Sequence, residues 1–184
     1  MTSQRITAIL HVLLALAVVH QLVTSLFFDP RQYSFGITLR WTHDRVGLVA
    51  FLLLVLFWVW VMIRREQPGL AGLFPWLSPG RIKRVVADAR DLVHSLLRLK
   101  AIPEGRHHDL AAAVQGAGLI IAAILALSGA YLHFYARPTL VPPIGIRRAL
   151  TIHLAVADLM WLFIIGHATM AVVHFASRVM RRPS

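Results

Sequence analysis

The chain has 184 residues, of which 58% are hydrophobic, and carries 19 Lys and Arg against 8 Asp and Glu. Soluble proteins average about 45–50% apolar residues, so we expect an all-α membrane protein that uses residues 1–184 as a single membrane domain. Cysteine is absent, which excludes disulfides, thiolate zinc sites, cysteine-ligated clusters and covalent c-type attachment.

Four apolar segments are near or above the length of about 20 residues that a helix needs to cross the hydrocarbon core. They predict a four-transmembrane-helix bundle with spans at about residues 6–28, 42–64, 109–135 and 149–177. The first segment follows Arg5, as a secretory signal would. It is long for a signal and lacks a convincing small-residue cleavage site, so we expect a retained helix.

The segment between the second and third spans contains an amphipathic helix at about residues 79–100. Ser78 and Pro79 suit the N-cap and first helical positions. Apolar residues then recur at helical spacing, with charged residues on the other side. This pattern predicts an interfacial helix at the cytoplasmic surface.

Positive charge predicts the orientation of the spans. Most of it lies in the central loop and the C-terminal tail: Arg64, Arg65, Arg81, Lys83, Arg84, Arg90, Arg98, Lys100, Arg106, Arg178, Arg181 and Arg182. The opposite loops hold only Arg31, Arg40, Arg45, Arg137, Arg147 and Arg148. We therefore expect a multi-pass membrane protein with both termini cytoplasmic. Its charge would serve topology and contact with anionic lipid rather than nucleic-acid binding.

The ten histidines carry the functional prediction. An ionisable residue inside a membrane is costly and often functional, although a lone one can be a hydrogen-bonded packing residue. His153 and His167 are 14 residues apart, which places them within about 40° on one helix face and about 21 Å apart along it. Two stacked haems would each need one ligand from such a helix.

Depth in the membrane predicts the partners of these two residues. His11 and His167 each lie 17 residues from the outer end of their helix, Phe28 and Leu150 respectively. His43 begins the second helix at the outer side, level with His153. We therefore predict two bis-histidine iron sites, His43 with His153 and His11 with His167. Such ligation leaves no open iron position and suits electron transfer.

Other histidines fit the role of iron ligand less well. His174 lies on the stripe of His167 and is an alternative inner ligand, but is better placed to contact a haem propionate or a quinone. His133 is an alternative to His43. His107 and His108 begin the third helix, where they either serve the helix start or contact a quinone or a transferred proton.

Several further residues have open roles. His20 points away from the face of His11, and His94 falls on the polar face of the loop helix, where we expect it to be solvated. Asp158 either relays protons or bonds a neighbouring helix. Small residues let a flat macrocycle or another helix approach the backbone; those near the histidines are Gly47, Gly118, Gly129 and Gly166.

Taken together, His11, the sequence His43-Asp-Arg-Val-Gly47, His153 and the sequence Gly166-His167-Ala-Thr-Met-Ala-Val-Val-His174 resemble a known family. It is that of the bacterial four-helix di-haem b-type cytochromes of the cytochrome b561 type. The chain is also similar to the formate dehydrogenase gamma subunit and the Ni,Fe-hydrogenase cytochrome b subunit, through its long central loop. The family often has Trp after the first ligand, where this chain has Val12.

The resemblance implies two b-type haems held by His11, His43, His153 and His167. It also implies a quinone site near His107, His108 and His174. The resemblance also implies a location in the bacterial inner membrane. The implied function is a membrane cytochrome b subunit transferring electrons between a partner oxidoreductase at the periplasmic face and the quinone pool, in either direction. The interfacial helix would then contact lipid alone, form the floor of a quinone pocket or provide a docking surface for a partner.

Two other functions remain open on the sequence. One is a stand-alone superoxide:quinone oxidoreductase, whose outer arginines would steer an anion. The other is a haem-free membrane transporter or assembly factor with membrane histidines.

Overall fold

A computed structural model of the chain describes residues 3–27, 33–64, 70–98, 108–136 and 141–180. All regular elements in these residues are helical: α1 (Ser3–Ser25), α2 (Tyr33–Ile63), α3 (Leu70–Leu73), a 3₁₀ turn (Pro75–Leu77), α4 (Pro79–Leu97), α5 (His108–Tyr135) and α6 (Ile144–Met180). Four of them, α1, α2, α5 and α6, are long and apolar enough to cross a membrane. The predicted all-α membrane fold with four spans is confirmed.

The helix bounds differ from the predicted ones in particular places. α2 begins at Tyr33, well before residue 42, and α6 begins at Ile144 rather than near residue 149. The prolines at 142 and 143 immediately precede α6, and the backbone N–H of Arg147 donates to the carbonyl of Pro143 at 3.1 Å. Proline is compatible with a helix start, because its missing N–H would have no partner there.

The structure divides into two compact units, one of residues 1–64 with 120–161 and the other of residues 65–119 with 162–184. In the first unit, α1 and α2 pack directly against each other. Leu22 of α1 and Leu54 and Val61 of α2 are buried. At one end of the pair, the indole Nε1 of Trp60 donates a 2.9 Å hydrogen bond to Oγ1 of Thr7, which fixes the two helices in register.

In the second unit, α3 and the 3₁₀ turn lie on the start of α5. Leu73 and Pro75 are almost fully buried. A Cβ at Gly116 would overlap the backbone carbonyl of Leu73 and contact the ring of Trp76. Glycine is therefore required at residue 116, since it lets the backbone of α3 at Leu73 approach α5 closely.

α4 is tied to the start of α5 by polar bonds. Arg81 and Arg84 both bond the carboxylate of Asp109, at 2.9 and 2.6 Å. Arg81 also donates to the carbonyl of Gly72 at 2.8 Å, and the backbone N–H of Leu110 donates to Asp88 at 3.2 Å. The side of α4 that contacts the rest of its unit is therefore partly charged.

A second face of α4 carries an exposed apolar stripe, formed by Ile82, Val86, Val93 and Leu97. Beside it along the helix run the exposed basic residues Lys83, Arg90 and His94. Exposed apolar side chains beside basic ones are the pattern of a helix lying at a lipid surface.

Candidate functional site

His43 lies near the start of the second span, within the first unit, and is held from α1. The side-chain Nε2 of Gln21 donates to the backbone carbonyl of His43 at 3.0 Å. Oγ1 of Thr24 lies 3.1 Å from Nδ1 of the His43 ring. Thr24 is 5% exposed, so this ring contact lies away from the surface. α1 therefore fixes both the backbone and the ring of His43.

His153 is held in the same way by a different pair of helices. Oγ of Ser128, on α5, lies 2.9 Å from Nδ1 of the His153 ring. A Cβ at Gly129 would come within 3.1 Å of Cε1 of the same ring. The hydroxyl binds one edge of the imidazole while the glycine makes room for it, so His153 has a defined ring orientation on α6.

His43 and His153 both belong to the first unit, and both are half-buried. His20 of α1 lies in the same unit, and its Nδ1 is buried without a hydrogen bond to any described residue. The sequence pattern assigned no role to His20, although it lies one turn before Thr24. The first unit thus holds these three imidazoles in partly buried positions.

His167 lies in the second unit and is supported by an aromatic stack. Its ring lies on that of Phe163, with centroids 5.4 Å apart and an interplanar angle of 15°. A Cβ at Gly118 would overlap the Phe163 ring. Gly118 of α5 therefore lets Phe163 occupy the position from which it stacks on His167.

The remaining predicted residues fall into three groups. His11 is exposed on α1, in the first unit, and its pairing with His167 of the second unit stays a prediction. His94 is exposed, as expected for a solvated residue, and His133 packs edge-on against Phe134 with centroids 5.1 Å apart. His107 lies outside the described residues. His108 and His174 lie in described helices, but their side chains are outside the described part of the structure.

Comparison with known proteins identifies the family. The family model described as prokaryotic cytochrome b561 matches residues 3–182, nearly the whole chain. The chain belongs to the prokaryotic cytochrome b561 family. The comparisons with curated proteins and with solved structures gave no match. The match does not distinguish the formate dehydrogenase gamma subunit from other members, so that finer resemblance stays a prediction.

Family membership makes the chain a multi-pass membrane cytochrome of the b type, which binds b-type haem and takes part in electron transfer. The donor set of His43 and His153 fits this cofactor. Imidazole nitrogens are common axial ligands of haem iron. Two rings from different helices of one unit, each with its Nδ1 on a hydroxyl, leave the Nε2 edges as the side for coordination. Gly129 supplies space beside one ring.

Proposed function

We propose that this cytochrome b561 holds two b-type haems and conducts electrons between a partner oxidoreductase at the periplasmic face and the membrane quinone pool. His43 and His153 would ligate the outer haem, and His11 and His167 the inner one. Each haem supplies one-electron oxidation and reduction when bound. The direction of flow depends on the potentials of the partner and the quinone.

The observation that carries the proposal is the outer pair of histidines. His43 and His153 come from α2 and α6 within one compact unit, and each ring is held at Nδ1 by a hydroxyl from a further helix. A packing histidine would need only one such bond, at any position on the ring. Two rings held at the same atom, each with Nε2 left for a metal, support bis-histidine ligation.

The chain's own residues orient and enclose the site. Gln21 holds the backbone of His43, and Phe163 holds the plane of His167. The exposed faces of the spans are largely apolar, with Leu52 60% and Leu162 70% exposed, so we expect lipid to cover these faces and to keep water from the electron path. A haem-free transporter is disfavoured by the family of the chain.

The quinone half of the proposal rests on the sequence resemblance at His107, His108 and His174. The resemblance predicts that these residues contact quinone at the cytoplasmic side, near the inner haem. Rates of quinol-driven haem reduction in His108→Ala and His174→Ala, against those of the His94→Ala control, measure that role.

A second candidate function is the oxidation of superoxide at the outer face. A shallow depression near the start of α6 is lined by Arg147, Arg148 and Thr151, and Thr151 stands two residues before His153. Guanidinium groups at this place would attract a small anion. Isolation separates the two candidates: co-purifying subunits support the subunit function, and superoxide-dependent quinone reduction by the solitary chain supports the second.

The ligand assignment is tested by single alanine variants of His11, His43, His153 and His167, with His94→Ala as the control. Each ligand variant is expected to retain one haem per chain where the wild type holds two, and the control is expected to retain both. Full haem content in all four ligand variants would contradict the proposal.

A further inference from the structure

We propose that Thr24 and Ser128 are positioning residues that hold His43 and His153 in the tautomer protonated on Nδ1, so that Nε2 of each ring is the iron ligand. The inference rests on the proposed function, in that it takes these two histidines as the outer ligands. It assigns roles to two hydroxyls that have no place in the sequence motif.

The hydroxyl of Thr24 also bonds the backbone of its own helix, α1. Oγ1 of Thr24 donates to the backbone carbonyl of His20 at 2.8 Å, with that of Gln21 at 3.1 Å as the second acceptor. A hydroxyl has one proton and two acceptor lone pairs. With that proton donated to the helix backbone, Oγ1 would act as the acceptor in its 3.1 Å contact with Nδ1 of His43. The ring nitrogen is therefore the donor and carries the proton.

Ser128 repeats the arrangement on another helix pair. Its Oγ donates to the carbonyl of Ile124 at 2.7 Å, with that of Leu125 at 3.1 Å as the second acceptor. The same oxygen lies 2.9 Å from Nδ1 of His153, so it accepts from this ring as Thr24 does from the other. Two hydroxyls on different helices, each bonded back to its own backbone, thus impose the same tautomer on His43 and His153.

The tautomer decides which nitrogen can bind iron. A neutral imidazole has one N–H and one nitrogen with a lone pair, and the hydrogen bond of the first sets the identity of the second. With Nδ1 donating to Thr24 or Ser128, Nε2 holds the lone pair. Donation from Nδ1 also makes the ligand more basic and fixes the ring plane, which favours ferric over ferrous iron.

The nearly isosteric variants Thr24→Val and Ser128→Ala remove the acceptor oxygens. We expect each to weaken haem retention at the outer site by about 10-fold, the lower end of the usual effect of losing such a partner. We also expect the outer midpoint potential to rise by up to about 59 mV, the one-electron equivalent of a tenfold change in equilibrium constant. Thr24→Ser and Ser128→Thr, which keep the hydroxyl, are expected to restore both values.

Matched controls come from hydroxyls that bond only the backbone of their own helix. Oγ of Ser25 donates to the carbonyl of Leu22 at 2.7 Å, and Oγ1 of Thr169 to that of Ile165 at 2.7 Å. Ser25→Ala and Thr169→Val are expected to leave the outer potential unchanged. A structural role for the hydroxyls would affect all four variants alike through stability.

The tautomer itself is read by ¹⁵N NMR of histidine-labelled, haem-free protein, with peaks assigned through His43→Ala and His153→Ala. We expect Nδ1-protonated signals for both residues, lost in Thr24→Val and Ser128→Ala respectively. Nε2-protonated signals in the wild type, or potentials of Thr24→Val and Ser128→Ala equal to those of the controls, would overturn the inference. A wild-type chain that binds no haem would instead contradict the proposed function, and the NMR result would still decide the tautomer.

Discussion

The ring of Phe163 lies parallel to that of His167, with 5.4 Å between centroids and 15° between planes. Phe163 can take this position because α5 has glycine at residue 118, where a Cβ would overlap the phenyl ring. The stack gives His167 a fixed plane one turn along the same helix.

Gly118→Ala should therefore disturb the haem site proposed at His167 without changing His167 itself. The added methyl group overpacks the contact, at a cost of about 1–3 kcal/mol, and we expect loss of haem from the inner site and a lower thermal midpoint. The control is Gly80→Ala, since a Cβ at Gly80 meets nothing within 4 Å. Equal haem content and thermal midpoints in the two variants would contradict the role of the stack.

The two arginines that bond Asp109 should not contribute equally to stability. The Arg84 side chain is 60% exposed and that of Arg81 23% exposed, and only Arg81 also bonds the carbonyl of Gly72. We expect Arg84→Gln to cost less than about 1 kcal/mol, as exposed ion pairs do. Arg81→Gln should cost about 1–3 kcal/mol, because it also leaves a carbonyl without its donor.

Hydrogen exchange of α4 amides measures this difference in the detergent-purified protein. Faster exchange in Arg81→Gln than in Arg84→Gln is the expected result. The reverse order would show that the bond to Gly72 does not anchor α4.

Hydropathy predicted the four spans because a bilayer requires a long apolar run wherever a helix crosses it. The same signal missed the first residues of α2, where Arg40 and Gly36 interrupt the apolar pattern. It also missed α3 and the 3₁₀ turn, which are too short for a periodic signal and depend on packing at Gly116. Element bounds and short turns are set by tertiary contacts as well as by local pattern.

Part of the candidate site could likewise be predicted from the sequence, and part could not. Spacing and depth selected His43 and His153 as a pair, and the structure places both in one compact unit. The hydroxyl of Ser128 is 25 residues from His153 in sequence, and a serine that bonds its own helix backbone is ordinary in a membrane helix. Only the fold reveals that its oxygen also contacts the ring of His153.

The apolar stripe of α4 should lie in the lipid interface. The chain has no cysteine, so single-cysteine variants can carry one nitroxide label each. A label at Val86→Cys, on the stripe, should be more accessible to oxygen than to a water-soluble nickel complex in anionic vesicles. The matched label at Ala87→Cys, on the neighbouring exposed face, should show the opposite ratio. Similar ratios at both positions would place the helix away from the membrane surface.

The predicted orientation puts α4 in the cytoplasm and the start of α6 outside. Asp91→Cys and Val141→Cys are both at exposed positions, so each can react with a membrane-impermeant thiol reagent. In intact spheroplasts we expect Val141→Cys to be labelled and Asp91→Cys to be labelled only after permeabilisation. The opposite pattern would invert the topology and exchange the two proposed haem sides.

The central claim is that paired histidines hold two haems in one chain. It is tested most directly by the reduced-minus-oxidised visible spectrum of the detergent-purified protein, together with a haem count per chain. Two low-spin b-type haems per chain are predicted. A colourless protein would contradict the account and return the histidines to packing or proton transfer, and a single haem would contradict one of the two pairs.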